Sequence, residues 1–344
     1  MSTSEKIINY LKINKLKSSK EIFEDSNTNA SYATVKRILK ELINEGILSV
    51  EGRGKSSKYK LSDSYAILYP IDMDLYFQKE IDDREIKAQY NQTLIREQLM
   101  NKQLFSNQEL DYLNELQDKF KINISRLSEV AYNKELERLA IDLSWKSSQI
   151  EGNTYSLLET EYLLKEKQTA GGKTKAEAVM LLNHKDALDF LIQHKDYLIP
   201  MKVAAIEDIH SMLTKELDIT RNIRQGVVGI TGTNYKPLDN EFQIREALND
   251  MCNAINNQQD IFTKALLVLI LISYIQPFAD GNKRTARIAC NGILLNYNYC
   301  PMSFRTVDAL EYKKAMLIFY EQNNISVFKR MFIAQFEFAV NTYF

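Results

Sequence analysis

Cysteine and histidine are scarce in this 344-residue chain, with three of each. Cys252, Cys290 and Cys300 are odd in number and lack paired spacing. That argues against a disulfide framework or a cysteine metal site, and it points to a reducing, cytoplasmic setting. His184, His194 and His210 lie too far apart in sequence to form a helical metal pair. His210, within Ile209-His210-Ser211-Met212-Leu213, reads as a structural helix residue, and His184 and His194 as surface or packing positions of one helix. Long apolar runs are also missing. The most apolar stretch, Ala265 to Ile272, is far short of the ~20 residues that span a bilayer. It reads as a buried core helix, and no membrane partner is expected. Met1-Ser2-Thr3-Ser4-Glu5-Lys6 leads into an amphipathic segment, so no secretory leader is expected. There is no internal repeat or low-complexity tract. What remains, 45% apolar and 26% charged residues, is the make-up of an ordinary soluble protein with room for two or three domains.

Charge of one sign is lacking overall, at net −1, but it is unevenly spread. Residues 1–62 carry 12 Lys and Arg against 7 Asp and Glu, a net of +5, which leaves −6 for the rest. This marks a separate N-terminal module. Its pattern predicts helices over Ser4–Asn14, Ser18–Glu24 and Ser31–Asn44, with Ser31 as N-cap. Strands at Ile47–Val50 and Lys58–Leu61 follow, joined by a turn containing Gly and Lys. Three helices and a small basic hairpin resemble a winged helix-turn-helix. That resemblance implies that Ser31, Tyr32, Thr34, Lys36 and Arg37 enter a DNA major groove, while Arg53, Lys55 and Lys58 reach phosphates. It also suggests a homodimer. A module that contacts only proteins is the alternative.

The densest chemistry lies at Gln276-Pro277-Phe278-Ala279-Asp280-Gly281-Asn282-Lys283-Arg284-Thr285-Ala286-Arg287, where a loop runs into a helix. Gly281 and Asn282 fall where the helix begins, so free backbone N–H groups and the positive dipole end face an incoming phosphate. Arg284 and Arg287, three residues apart, share a face, and each can fork two hydrogen bonds onto phosphate oxygens. Asp280 is placed to hold Mg²⁺. The ligand so inferred is a Mg-nucleotide.

These residues resemble the Fic (Fido) family pattern His-x-Phe-x-(Asp/Glu)-Gly-Asn-(Gly/Lys)-Arg-x-x-Arg at every position but the first. The resemblance implies transfer of AMP from ATP to a hydroxyl of a target protein, with ATP and Mg²⁺ required. It assigns nucleotide binding to Gly281, Asn282, Lys283, Arg284 and Arg287. The family's general base is that His. Here Gln276 stands in its place, and a neutral amide cannot accept the proton, a loss typically worth ~10²–10⁴ in rate.

Two further stretches fit the same family. Ser147-Ser148-Gln149-Ile150-Glu151-Gly152 matches its inhibitory helix, (Ser/Thr)-x-x-x-Glu-(Gly/Asn). The resemblance implies that Glu151 pairs with Arg287 and keeps the ATP γ-phosphate from seating. Taken alone, the segment could be a helix ended by a glycine cap. Gly226 to Pro237, with alternating β-branched residues and glycines, reads as a hairpin. In the family it is the flap that pairs with the target segment, here through Gly229, Ile230, Thr231, Gly232, Thr233 and Tyr235. An inert surface hairpin is the alternative.

Apolar residues at i, i+3, i+4 spacing predict helices across the remainder. The expected fold is mainly α: a winged helix over 1–64, a helical linker over 65–104, and a Fic core over 105–344 with its inhibitory helix near 144–153 and a β-hairpin flap. Two functions follow. One is an autoinhibited adenylyltransferase slowed by Gln276. The other is a catalytically inactive, ATP-responsive regulator that binds DNA.

Overall fold

The computed structural model describes residues 2–62 and 64–344, without the side chain of Lys55. The expected site residue Lys55 thus lies, as a side chain, outside what is described. The chain is mainly helical with one small sheet.

The first part holds α1 (Thr3–Ile13), β1 (Lys17–Ser18), α2 (Ser19–Asp25), α3 (Tyr32–Asn44), β2 (Leu48–Glu51) and β3 (Lys58–Leu61). The strands form an antiparallel sheet in the order β1-β3-β2. Local chemistry fixes the helix starts. Ser2 with Glu5 and Ser18 with Glu21 form reciprocal capping boxes, and the Ser31 side chain accepts from the Thr34 N–H. Apolar Val35, Ile38, Leu39 and Leu42 of α3 are buried, while Tyr32, Lys36 and Arg37 face solvent.

Residues 65–104, expected as a helical linker, are largely irregular. They contain only α4 (Tyr65–Leu68), α5 (Met73–Tyr76), two short 3-10 or π turns and extended chain. Their backbone is instead tied to distant elements, as in Ile325 N–H to the Ile67 carbonyl and Lys87 N–H to the Glu321 carbonyl. These groups have partners without helix formation, so the residues' helix-forming preference is overridden.

The remainder is α6 (Asn107–Ser125), α7 (Glu129–Ile150), α8 (Leu157–Glu166), α9 (Lys175–Gln193), α10 (Val203–Leu213), α11 (Glu241–Asn257), α12 (Ile261–Ile275), α13 (Asn282–Asn296), α14 (Ala309–Gln322) and α15 (Ser326–Tyr343). Ser106/Glu109, Ser156/Glu159 and Thr174/Glu177 again form capping boxes. Helix α12 is apolar on all sides, and Phe262 to Ile275 are all buried. A helix of that pattern belongs in the centre of a core, where α12 packs most extensively against α13. One continuous apolar cluster runs from Ile7 to Tyr343. Among the described residues no helix is long and apolar enough to cross a membrane, and the three cysteines are buried free thiols.

The stretch 226–237 forms no strand ladder, contrary to the expected hairpin. Gly226 and Gly232 sit at φ of 125° and 90°, conformations that break an extended run. The backbone groups also bond elsewhere: Gly226 N–H to the Asp239 carbonyl, and Lys236 N–H to the Ala88 carbonyl. The segment is a loop, anchored by an isolated parallel bridge between Gln89 and Lys236.

Candidate nucleotide-binding and transfer site

Helix α12 ends at Gln276 in the left-handed conformation, φ 52°, and the chain turns through Pro277–Asp280 to Gly281. Gly281, at φ 81°, caps the N-terminus of α13. A Cβ there would be strained by that backbone whatever the space available. Asn282 locks the turn. Its Oδ1 accepts from the Phe278 N–H at 2.9 Å, and its Nδ2 donates to the Phe278 carbonyl at 2.8 Å and to Gln276 Oε1 at 2.9 Å. The Gln276 Nε2 donates to the Ser273 carbonyl at 2.6 Å. Both ends of the Gln276 amide are therefore engaged, one by the last turn of α12 and the other by the first residue of α13.

The two arginines differ in their partners. Arg287 is fully buried: its Nε donates to Ser147 Oγ at 2.8 Å, and its Nη2 donates to the Ser147 carbonyl at 2.9 Å and to Glu151 Oε1 at 2.8 Å. Lys283 adds a second cation 3.5 Å from Glu151 Oε2. Burial acts to raise the Glu151 carboxyl, but Arg287 and Lys283 outweigh it and hold it below the ordinary glutamate value. The carboxylate is charged and clamped. Arg284 is equally buried, yet its closest acid, Asp280 Oδ2, is 3.4 Å away, and its Nε and Nη1 have no hydrogen-bond partner among the described residues. A buried guanidinium with open donors is costly unless an anion meets it. That observation fits a phosphate-bearing ligand. The Asp280 carboxylate, 68% exposed, is open to solvent beside this helix N-terminus. One carboxylate shared with phosphate oxygens suits Mg²⁺, and among the described residues no cluster of three or more His, Cys, Asp or Glu offers a different metal cage.

Glu151, Asp280 and Lys283 line one cavity of about 360 Å³, whereas Arg284 and Arg287 are not among its lining residues. Gln276, Asp280, Gly281, Asn282 and Lys283 form its floor, Glu151 one wall, and Val228, Gly229, Ile230 and Thr231 the facing loop. Helix α14 closes it with Lys313, Met316, Leu317 and Tyr320. The structure thus brings together the motif, the end of α7 and the loop. Gly152, at φ 100°, ends α7 just past Glu151. Not all of the expected loop residues face the cavity: Tyr235 is buried, its hydroxyl donating to the Tyr274 carbonyl, and Thr233 turns inward to cap the Tyr235 N–H. Aromatic bulk prefers the core. The residues expected at DNA lie in the N-terminal part, and none lines this cavity.

Two supporting residues have no local sequence signal. His210 stacks on Phe278, with centroids 3.7 Å apart and planes 4° apart, and its Nε2–H donates to the Asp280 carbonyl at 2.9 Å. Burial pulls its pKa below the usual value, so it is neutral at pH 7. Buried Arg224 donates from Nε to the Gln276 carbonyl at 2.7 Å and also bonds the Gly226 and Leu238 carbonyls. It ties both ends of the loop to the motif turn. Of the other histidines, His184 is buried and His194 is an exposed helix cap.

The fold and site define a helical domain in which the N-terminus of α13, with buried arginines in its first turns, faces an irregular loop across one cavity. Residues 200–294 match the model of the Fic/DOC family, and this stretch is a Fic/DOC domain. Among curated relatives, "Protein adenylyltransferase fic-1" of Caenorhabditis elegans is 27% identical over 173 residues, 47% of this chain and 33% of that protein. "Protein adenylyltransferase Fic" of Nematostella vectensis is 28% identical over 180 residues, 49% and 40% respectively. The chain thus spans about a third of the nematode relative's length. Among solved structures, Fic-1 (residues 134–508) of C. elegans superposes with a TM-score of 0.59 at 21% identity, over 68% of this chain and 71% of that one. A Fic domain containing signaling protein of Bacteroides thetaiotaomicron gives 0.57 at 17%, over 67% and 94%. At these identities the structures share the fold.

Proposed function

We propose that this chain is a Fic-type protein adenylyltransferase, held back by Glu151 and slowed by Gln276. The observation that carries the reading is Arg284, a buried guanidinium with open donors in the first turn of the helix whose start, Gly281 to Lys283, shares a cavity with the loop 228–231. ATP phosphates would meet Arg284, Arg287 and the backbone N–H groups of Gly281 and Asn282. Asp280 would hold Mg²⁺, which when bound offsets the charge on the phosphates. The acceptor hydroxyl oxygen bonds to the α-phosphorus, the bond to the bridging oxygen breaks, and pyrophosphate leaves. With no base at Gln276, the hydroxyl proton passes to water or a phosphate oxygen, and rate enhancement rests on positioning and electrostatics.

Glu151 competes with phosphate for Arg287, and this is the brake. Releasing Arg287 requires breaking its clamp to Ser147 and Glu151, so ATP seats fully only when α7 yields. The order α1-β1-α2-α3-β2-β3 and the antiparallel pairing β1-β3-β2 support a winged-helix reading of the N-terminal part. Exposed Tyr32, Lys36, Arg37, Arg53 and Lys58 and its net of +5 support DNA contact there. Ser31 and Thr34 are occupied with capping and Arg37 with Glu41, so phosphate attraction outweighs base reading.

One observation favours the second reading, an ATP-responsive regulator without transfer: both polar atoms of Gln276 are already engaged by Asn282 and Ser273. Mg-ATP labelled at the α-phosphate separates the two. The Glu151→Gly protein is expected to acquire covalent label and the unaltered protein far less. ATP binding without label in either would favour the regulator.

A further inference from the structure

The segment between the two parts of the chain reaches the cavity loop. Arg84, buried and outside the Fic/DOC match, donates from Nη2 to the Gly232 carbonyl at 2.8 Å and pairs through Nη1 with fully buried Glu321 at 3.3 Å. Glu321 is fixed in turn by the Tyr76 hydroxyl at 2.6 Å. Three more contacts run alongside. Asp82 accepts from Asn234 Nδ2 at 2.9 Å, the Ala88 carbonyl accepts from the Lys236 N–H at 2.8 Å, and Gln89 bridges Lys236 in parallel. Gly232 is pressed from the other side, where an added Cβ would lie 3.3 Å from Leu317 Cδ1 of α14. By contrast, among the described residues, 227–231 make no backbone–backbone hydrogen bond.

We propose that residues 82–89 are a built-in strap on the substrate loop, with Arg84 as its positioning residue. The strap holds the half of the loop from Gly232 to Lys236 and leaves 227–231 to receive the backbone of the acceptor. This deepens, and rests on, the adenylyl-transfer reading. The chemistry supports a division of labour. An unpaired extended backbone recruits a peptide strand, while the half already paired to its own chain cannot. The acceptor segment is therefore short and held next to Gln276. Because the same strap bonds α14 through Glu321 and continues into the N-terminal part, it also gives that part a physical path to the cavity.

Hydrogen exchange on the full chain, without nucleotide, tests the strap independently of catalysis. In Arg84→Ala, the hydrogen-bonded amides of Tyr235 and Lys236 are expected to exchange faster while those of α13 stay protected. Arg84→Lys, which retains the ion pair with Glu321, should restore part of the protection. Unchanged exchange at Tyr235 and Lys236, or an equal rise throughout the core, would overturn the proposal. In a Glu151→Gly background, Arg84→Ala should lower labelling from α-labelled Mg-ATP about tenfold with ATP affinity unchanged, the equivalent of one charge-assisted hydrogen bond. If that background shows no labelling at all, the transfer reading fails, and the exchange result still decides the strap.

Discussion

The two walls of the cavity are built in opposite ways. The motif side, where Gln276 to Lys283 line the cavity, is a turn and a helix start whose internal bonds span six residues or fewer: Asn282 to Phe278, Asn282 to Gln276, Arg284 to Asp280. The acceptor wall, 226–238, has no regular structure and is shaped from outside, by Arg224, Arg84, Leu317 and the Ala88 carbonyl. The motif side is encoded locally, whereas the loop keeps open backbone at 227–231 and takes its shape from the rest of the fold.

The largest effect is expected at Arg224. Arg224→Ala would leave the Gln276, Gly226 and Leu238 carbonyls without this donor, and denaturant unfolding should show a loss of about 2–4 kcal/mol. Arg284→Met acts on the motif side. Because Arg284 is buried with open donors, its removal should leave stability unchanged or improved. Calorimetric Mg-ATP affinity should nevertheless fall roughly tenfold to a hundredfold. Smaller still is Gly232→Ala, which forces a side chain into φ 90° against Leu317 and should cost about 1 kcal/mol in thermal unfolding. The brake itself should vary least with pH. Glu151 titrates below its ordinary value of 4.5, so its folded-state pKa is depressed. The Glu151–Arg287 contact then contributes fully above 4.5 and is lost only as pH falls through the lower, folded value. Labelling by the unaltered protein should accordingly not rise across neutral pH.

How much was legible in the sequence follows the same division. The motif could be read because its chemistry is contiguous: α13 begins at Asn282, where the loop was expected to run into a helix, and Ala265 to Ile272 lie in the buried α12. Glu151 was legible only through its own short pattern, since its partner is 136 residues away. His210, 70 residues from Asp280, and Arg84, 148 from Gly232, carry no local signal. The stretch 226–237 reads as a hairpin in sequence because its β-branched alternation is real. The positive φ at Gly226 and Gly232, and partners at Ala88 and Asp239, defeat it. Strand β1, two residues long, is too short for any period to register.

The central claim is that an intact nucleotide wall faces a site that lacks only its base. Single-turnover transfer from α-labelled Mg-ATP by Glu151→Gly, with and without Gln276→His, tests it most directly. The account predicts equal ATP affinity in the two proteins and transfer roughly 10²–10⁴ faster with the histidine. Equal rates, or no transfer in either protein while ATP binds, would contradict it.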